Sequence, residues 1–125
     1  MNSIGARIAW WLALAALAST GFLGIRNGIA EWPEAQNALQ RSVTGGVFVY
    51  GIFGAASAYG LWRGRRWSMW TTAAWGVAIL WVGSAAVPAY GGPDVTRSAA
   101  VAAGMASLLI AGAVFWAVRS LTAPR

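Results

Sequence analysis

Four stretches of the chain hold no ionisable side chain: Ile8–Ile25, Ser42–Trp62, Trp67–Pro93 and Ser98–Val118. Charge is confined to the segments between them and to the two ends. A helix crossing the hydrocarbon core of a bilayer needs about 20 mostly apolar residues. Each stretch reaches that length, and the pattern predicts spans over Ile8–Ile25, Val43–Trp62, Trp67–Val87 and Ser98–Val118. The expected fold is an all-α integral membrane bundle of four transmembrane helices in one domain, residues 1–125. Arg7 followed by Ile8–Ala18 has the outline of a signal peptide. The apolar run continues to Ile25, however, which favours a retained first span.

The connections differ in kind. Arg26–Arg41 is the longest, and Pro33 in it suits a first helical turn, so residues 33–41 can form a short interfacial helix or an ordinary polar loop. Arg63-Gly64-Arg65-Arg66 is so short that spans 2 and 3 must be antiparallel neighbours. Gly91-Gly92-Pro93-Asp94 is a strong turn signal before span 4.

Small residues recur at helical spacing. Ala16, Thr20 and Gly24 share a face of span 1, Gly51 pairs with Ala55 and Gly54 with Ala58 in span 2. Span 4 carries a seam of Ala99, Ala103, Ser107 and Ala111, which predicts the closest helix contacts of the bundle there. In lipid, small side chains let backbones approach, and van der Waals packing holds helices together.

Composition narrows the chemistry. Hydrophobic residues are 58% of the 125 and charged residues 10%, against about 25% charged in a soluble domain. The chain has no Cys and no His. That excludes disulfides, thiol chemistry and Cys- or His-based zinc and haem sites. No catalytic, cofactor or metal constellation is present, so no enzyme and no cofactor are expected.

The net charge of +6 comes from Arg alone. Its distribution points to topology, not to nucleic acid. Arg7, Arg63, Arg65, Arg66, Arg119 and Arg125 fall on one side of the four spans, with no acid among them. Arg26, Arg41 and Arg97 fall on the other, with Glu31, Glu34 and Asp94. The positive-inside rule therefore predicts N-in, C-in, with the acidic first loop outside. Trp10, Trp11, Trp62, Trp67, Trp70 and Trp116 gather at the same face, and Tyr90 marks the opposite boundary.

Three features are candidates for interaction. Arg63, Arg65 and Arg66, flanked by Trp62 and Trp67, form a cationic and aromatic knob suited to anionic lipid or a partner protein. Tyr50, Phe53, Trp75 and Trp81, with Tyr59 nearby, can line an apolar pocket or simply fill the bundle. Thr20, Thr44, Ser57, Thr71, Thr72, Ser84 and Ser107 can line a polar path or bond to their own helices. The segment Gly60-Leu61-Trp62-Arg63-Gly64-Arg65-Arg66-Trp67 within a four-span layout resembles small uncharacterised bacterial four-helix inner-membrane proteins. That resemblance implies a bacterial inner membrane and carries over no functional residue. Small multidrug transporters share the helix count, but span 1 lacks their membrane-embedded glutamate.

The expected function is thus non-enzymatic: a small scaffold or accessory subunit packing against another membrane protein or a second copy. The alternative is a binder of an apolar small molecule or lipid, and after it a passive channel or transporter. Membrane lipids are the partners common to all three.

Overall fold

The computed structural model describes residues 3–90 and 96–122, the side chain of Tyr90 excepted. Among them lie four long helices: α1 (Ile4–Glu31), α2 (Ala38–Trp62), α3 (Ser68–Tyr90) and α4 (Arg97–Thr122), with a 3₁₀ turn at Trp32–Glu34. All four are long and apolar enough to cross a membrane. The predicted turn at residues 91–94, Arg125 and the Tyr90 side chain lie outside the described residues.

Helix ends follow local chemistry. The Ser3 hydroxyl accepts from the Ala6 N–H at 3.0 Å and starts α1. The Asn37 side chain accepts from the Gln40 N–H at 2.8 Å and starts α2, and Thr96 does the same for Ala99 at 3.1 Å before α4. Such caps satisfy N–H groups that the first helical turn leaves open. The end of α2 is a Schellman motif: Gly64 N–H bonds Leu61 C=O at 3.1 Å and Arg65 N–H bonds Gly60 C=O at 2.8 Å. Gly64 has φ +68°, a left-handed conformation natural to glycine.

The first connection is shorter than the charge pattern suggests. Residues 33–41 do not form an interfacial helix. Trp32–Glu34 is one 3₁₀ turn, and residues 38–41 already belong to α2. The Asn37 cap is the reason, because it starts α2 at Ala38, ahead of the polar Gln40 and Arg41. The helix α1 also runs past Ile25 to Glu31 and α3 runs through Pro88, near its end, to Tyr90.

Successive helices pack as antiparallel neighbours along their lengths, while α1 and α4 meet over a shorter stretch. The core lies toward the end where the chain begins. Ala13, Leu17, Leu61, Trp75, Ala111 and Val118 cluster there, with Trp10, Leu14 and Leu121 packed on them.

The closest backbone-to-backbone approach at the glycines is between α1 and α2, while α4 meets α3 closely through the Ser107 side chain at Gly83. A Cβ placed on Gly24 would stand 2.6 Å from Gly51 Cα and 2.7 Å from the Val47 carbonyl oxygen. One on Gly21 would stand 2.6 Å from the Ala55 nitrogen, and one on Gly28 2.8 Å from Phe48 Cβ. Only residues without a Cβ fit so close a crossing.

Many large apolar side chains face outward. Leu109 is 72% exposed, Val77 70% and Trp70 70%. In water, apolar surface on this scale marks an interaction or membrane surface; hydrocarbon accepts it without cost.

Candidate functional site

Hydroxyl and indole groups tie the bundle internally. Thr20 donates to its own helix at the Ala16 carbonyl, 2.6 Å away, and its oxygen accepts from Trp75 Nε1 at 2.9 Å. This joins α1 to α3. Ser57 donates to Thr71 Oγ1 at 2.7 Å, and Thr71 donates to the Ser68 carbonyl at 3.0 Å, joining α2 to α3. Gln40 Nε2 donates to the Ala89 carbonyl at 3.2 Å and joins the same helices at their other end. Ser107 donates to the Ala103 carbonyl at 2.9 Å. These bonds answer the need of polar groups in an apolar medium. They give Thr20, Ser57, Thr71 and Ser107 structural partners. Thr72 Oγ1 is buried with no partner among the described residues.

The four aromatic residues expected around a pocket serve different places. Trp75 is 0% exposed and fills the core, while Trp81 is 48% exposed. Tyr50 and Phe53 are partly buried against the core cluster. Trp81 lies over Gly46, where a Cβ would meet its Cδ1 at 3.3 Å. The six-residue separation of Trp75 and Trp81 turns them to different faces, so Trp75 packs inward with its N–H satisfied.

The knob at Arg63, Arg65 and Arg66 is exposed, as are Trp62 and Trp67 beside it. Its backbone is fixed by the Schellman turn and by Gly60, whose position leaves room for the Trp67 ring and Ser68 Cβ. No Arg pairs with a carboxylate among the described residues. Trp11, Tyr59, Trp70 and Trp116 are exposed at the same end of the bundle. Trp10 stacks edge-on against Trp11 at 4.8 Å between centroids and lies 5.6 Å from Trp62. The arrangement is a cationic turn flanked by exposed Trp62 and Trp67.

Along α4 the predicted seam divides. Ala111 is buried, Ala103 and Ser107 are half-buried, and Ala99 is exposed. The inner three face α3: a Cβ on Gly83 would collide with the Ser107 side chain, and one on Gly76 would touch Ala111 Cβ at 3.4 Å. A second set, Ala99, Ala102, Ala106 and Ala113, faces outward and is exposed.

Two surface cavities were not anticipated from the sequence. One, of about 440 Å³, lies between the end of α1 and α2, walled by Gly28, Ile29, Trp32, Pro33, Gly45 and Phe48. Its signal was Gly45, where a Cβ would meet only the Trp32 ring, at 3.9 Å. The other, of about 530 Å³, runs between α3 and α4 below Arg97. Among the described residues, no group of three or more His, Cys, Asp or Glu is placed to hold a metal ion.

No protein-family model, curated protein or solved structure matches the chain.

Proposed function

We propose that the protein is a multi-pass membrane protein, oriented N-in and C-in, that serves as a non-enzymatic scaffold or accessory subunit. Its partner is a transmembrane helix of another protein, or of a second copy, laid against the outward face of α4. The supporting observation is that face itself. Ala99, Ala102, Ala106 and Ala113 stand exposed on one side of a helix whose neighbouring side is used by α3. Small side chains favour a close helix neighbour, whereas lipid contact has no need of them. The inner alanine seam supports no partner, since α3 already occupies it. The Arg distribution favours the N-in, C-in orientation, and the bacterial inner membrane is what the resemblance of the layout implies.

A paired substitution tests this reading. A photocrosslinker at Ala113 should give one adduct of defined mass in membranes. Ala102→Leu with Ala106→Leu should remove that adduct and leave the melting temperature of the purified chain unchanged. Ala103→Leu with Ser107→Leu should instead lower stability by about 1–3 kcal/mol through overpacking against α3. An adduct that survives the outward-facing pair contradicts the partner face.

A second reading rests on the cavity between α1 and α2. Its volume of about 440 Å³ is in the range of small-molecule sites, and its walls suit an apolar ligand. Retention of such a compound through purification, and its loss on Gly45→Leu, would favour this alternative.

A further inference from the structure

The turn between α2 and α3 concentrates like charge that nothing in the chain offsets. Arg63, Arg65 and Arg66 stand exposed within one short connection. Among the described residues their side chains make no hydrogen bond and no ion pair. Arg7 and Arg119 are exposed at the same end of the bundle, while Glu31 and Glu34 lie at the other. Guanidinium groups held this close repel one another. The turn is not free to spread and relieve them. The Gly64 and Arg65 N–H groups bond the Leu61 and Gly60 carbonyls, and the Arg65 carbonyl accepts from the Ser68 hydroxyl at 2.8 Å. A fixed cluster of cations without an internal partner calls for an external anion.

The flanking rings set the level at which that anion lies. Trp62 and Trp67 bracket the turn and are exposed, yet both are seated on the chain. Trp62 lies 5.6 Å from Trp10 between centroids. The Trp67 ring packs over Gly60, where a Cβ would meet it at 3.1 Å. Trp11, Trp70 and Trp116 are exposed at the same end. Indole rings favour the headgroup boundary of a bilayer. So short a connection cannot carry its arginines far beyond that boundary, and their reach coincides with the phosphate layer. It also leaves no protruding loop for a soluble acidic protein to grip. The residue type agrees, since the planar fork of Arg pairs two phosphate oxygens where Lys offers a point charge. Beside Trp10 a cavity of about 290 Å³, walled also by Ala6, Arg7, Trp11 and Leu121, continues the cationic and aromatic surface toward α1 and α4.

We propose that the α2–α3 turn is a binding site for an anionic phospholipid, its phosphate held by the guanidinium groups of Arg63, Arg65 and Arg66 beside Trp62 and Trp67. The site stands independently of the helix contact proposed for α4 and holds in either orientation of the bundle.

Native mass spectrometry of the chain in detergent tests it. The probes are dioleoylphosphatidylglycerol and dioleoylphosphatidylcholine, which has the same acyl chains and phosphate but no net charge. Detergent has no sidedness, so a change of topology cannot imitate a loss of binding. The parent chain should retain phosphatidylglycerol in preference to phosphatidylcholine. Arg63→Gln, Arg65→Gln and Arg66→Gln together should weaken phosphatidylglycerol by about fivefold for each arginine removed and leave phosphatidylcholine unchanged. Arg26→Gln, Arg41→Gln and Arg97→Gln together remove the same charge from the other end and should leave both lipids unchanged. If the turn variant does not fold, Arg65→Gln and Arg66→Gln singly should each weaken phosphatidylglycerol about fivefold. Equal retention by the two triple variants overturns the proposal, because net charge alone then governs the lipid. So does a turn variant that keeps the lipid and loses a co-purifying acidic protein, because the occupant is then a protein.

Discussion

Single glycines decide how closely this bundle is built. Gly24 and Gly51 face each other so directly that a Cβ on Gly51 would collide with the Gly24–Ile25 backbone. Gly5 and Gly112 have open space where a Cβ would go. The same chemical change should therefore have opposite signs at the two kinds of site. Gly24→Ala or Gly51→Ala forces the backbones of α1 and α2 apart and should cost about 1–3 kcal/mol or more. Gly112→Ala should stabilise by about 0.5–1 kcal/mol, because alanine loses less freedom in a helix. Denaturation in detergent micelles measures both. Equal effects at the two sites would mean that the glycine crossing carries no packing energy.

At the scale of elements, the four helices were legible because charge-free runs of this length have few other solutions in lipid. Their ends were less legible. An apolar run marks where lipid contact stops, while a helix stops where its backbone is capped. Asn37 with Gln40 three residues on is a cap-box spacing, and it places the start of α2 before the last polar residues. The Arg63-Gly64 turn was readable as a tight hairpin, and its geometry follows from glycine alone. What the sequence could not resolve was which small-residue stripe lies at the closest crossing. Alanine and glycine look alike in a pattern of small residues, yet one methyl per turn decides the separation. Likewise Trp75 and Trp81 differ only in helical phase, and phase becomes burial only once neighbours are placed. Two substitutions test the end-capping account. Asn37→Ala should cost about 0.5–2 kcal/mol, and Gly64→Ala about 1–2 kcal/mol for a left-handed residue with a Cβ. Thermal melts of both against wild type are the measurement, and a neutral Gly64→Ala would contradict the Schellman turn.

The molecule as a whole is polarised. The end holding Arg7, Arg63, Arg65, Arg66 and Arg119 also carries exposed Trp11, Trp62, Trp67, Trp70 and Trp116. The other end carries Glu31, Glu34, Arg41 and Arg97. In the proposed N-in, C-in orientation the first end lies at the cytoplasmic surface, and the proposed helix contact depends on membrane insertion. The chain contains no Cys, so one introduced thiol reports without background. Single variants Glu34→Cys, Arg65→Cys and Ser120→Cys should be treated in intact cells with a membrane-impermeant maleimide, then again after permeabilisation. The predicted result is labelling of Glu34→Cys from outside, and of Arg65→Cys and Ser120→Cys only after permeabilisation. Labelling of Arg65→Cys in intact cells, or of none of the three in either state, would contradict the four-span N-in, C-in bundle.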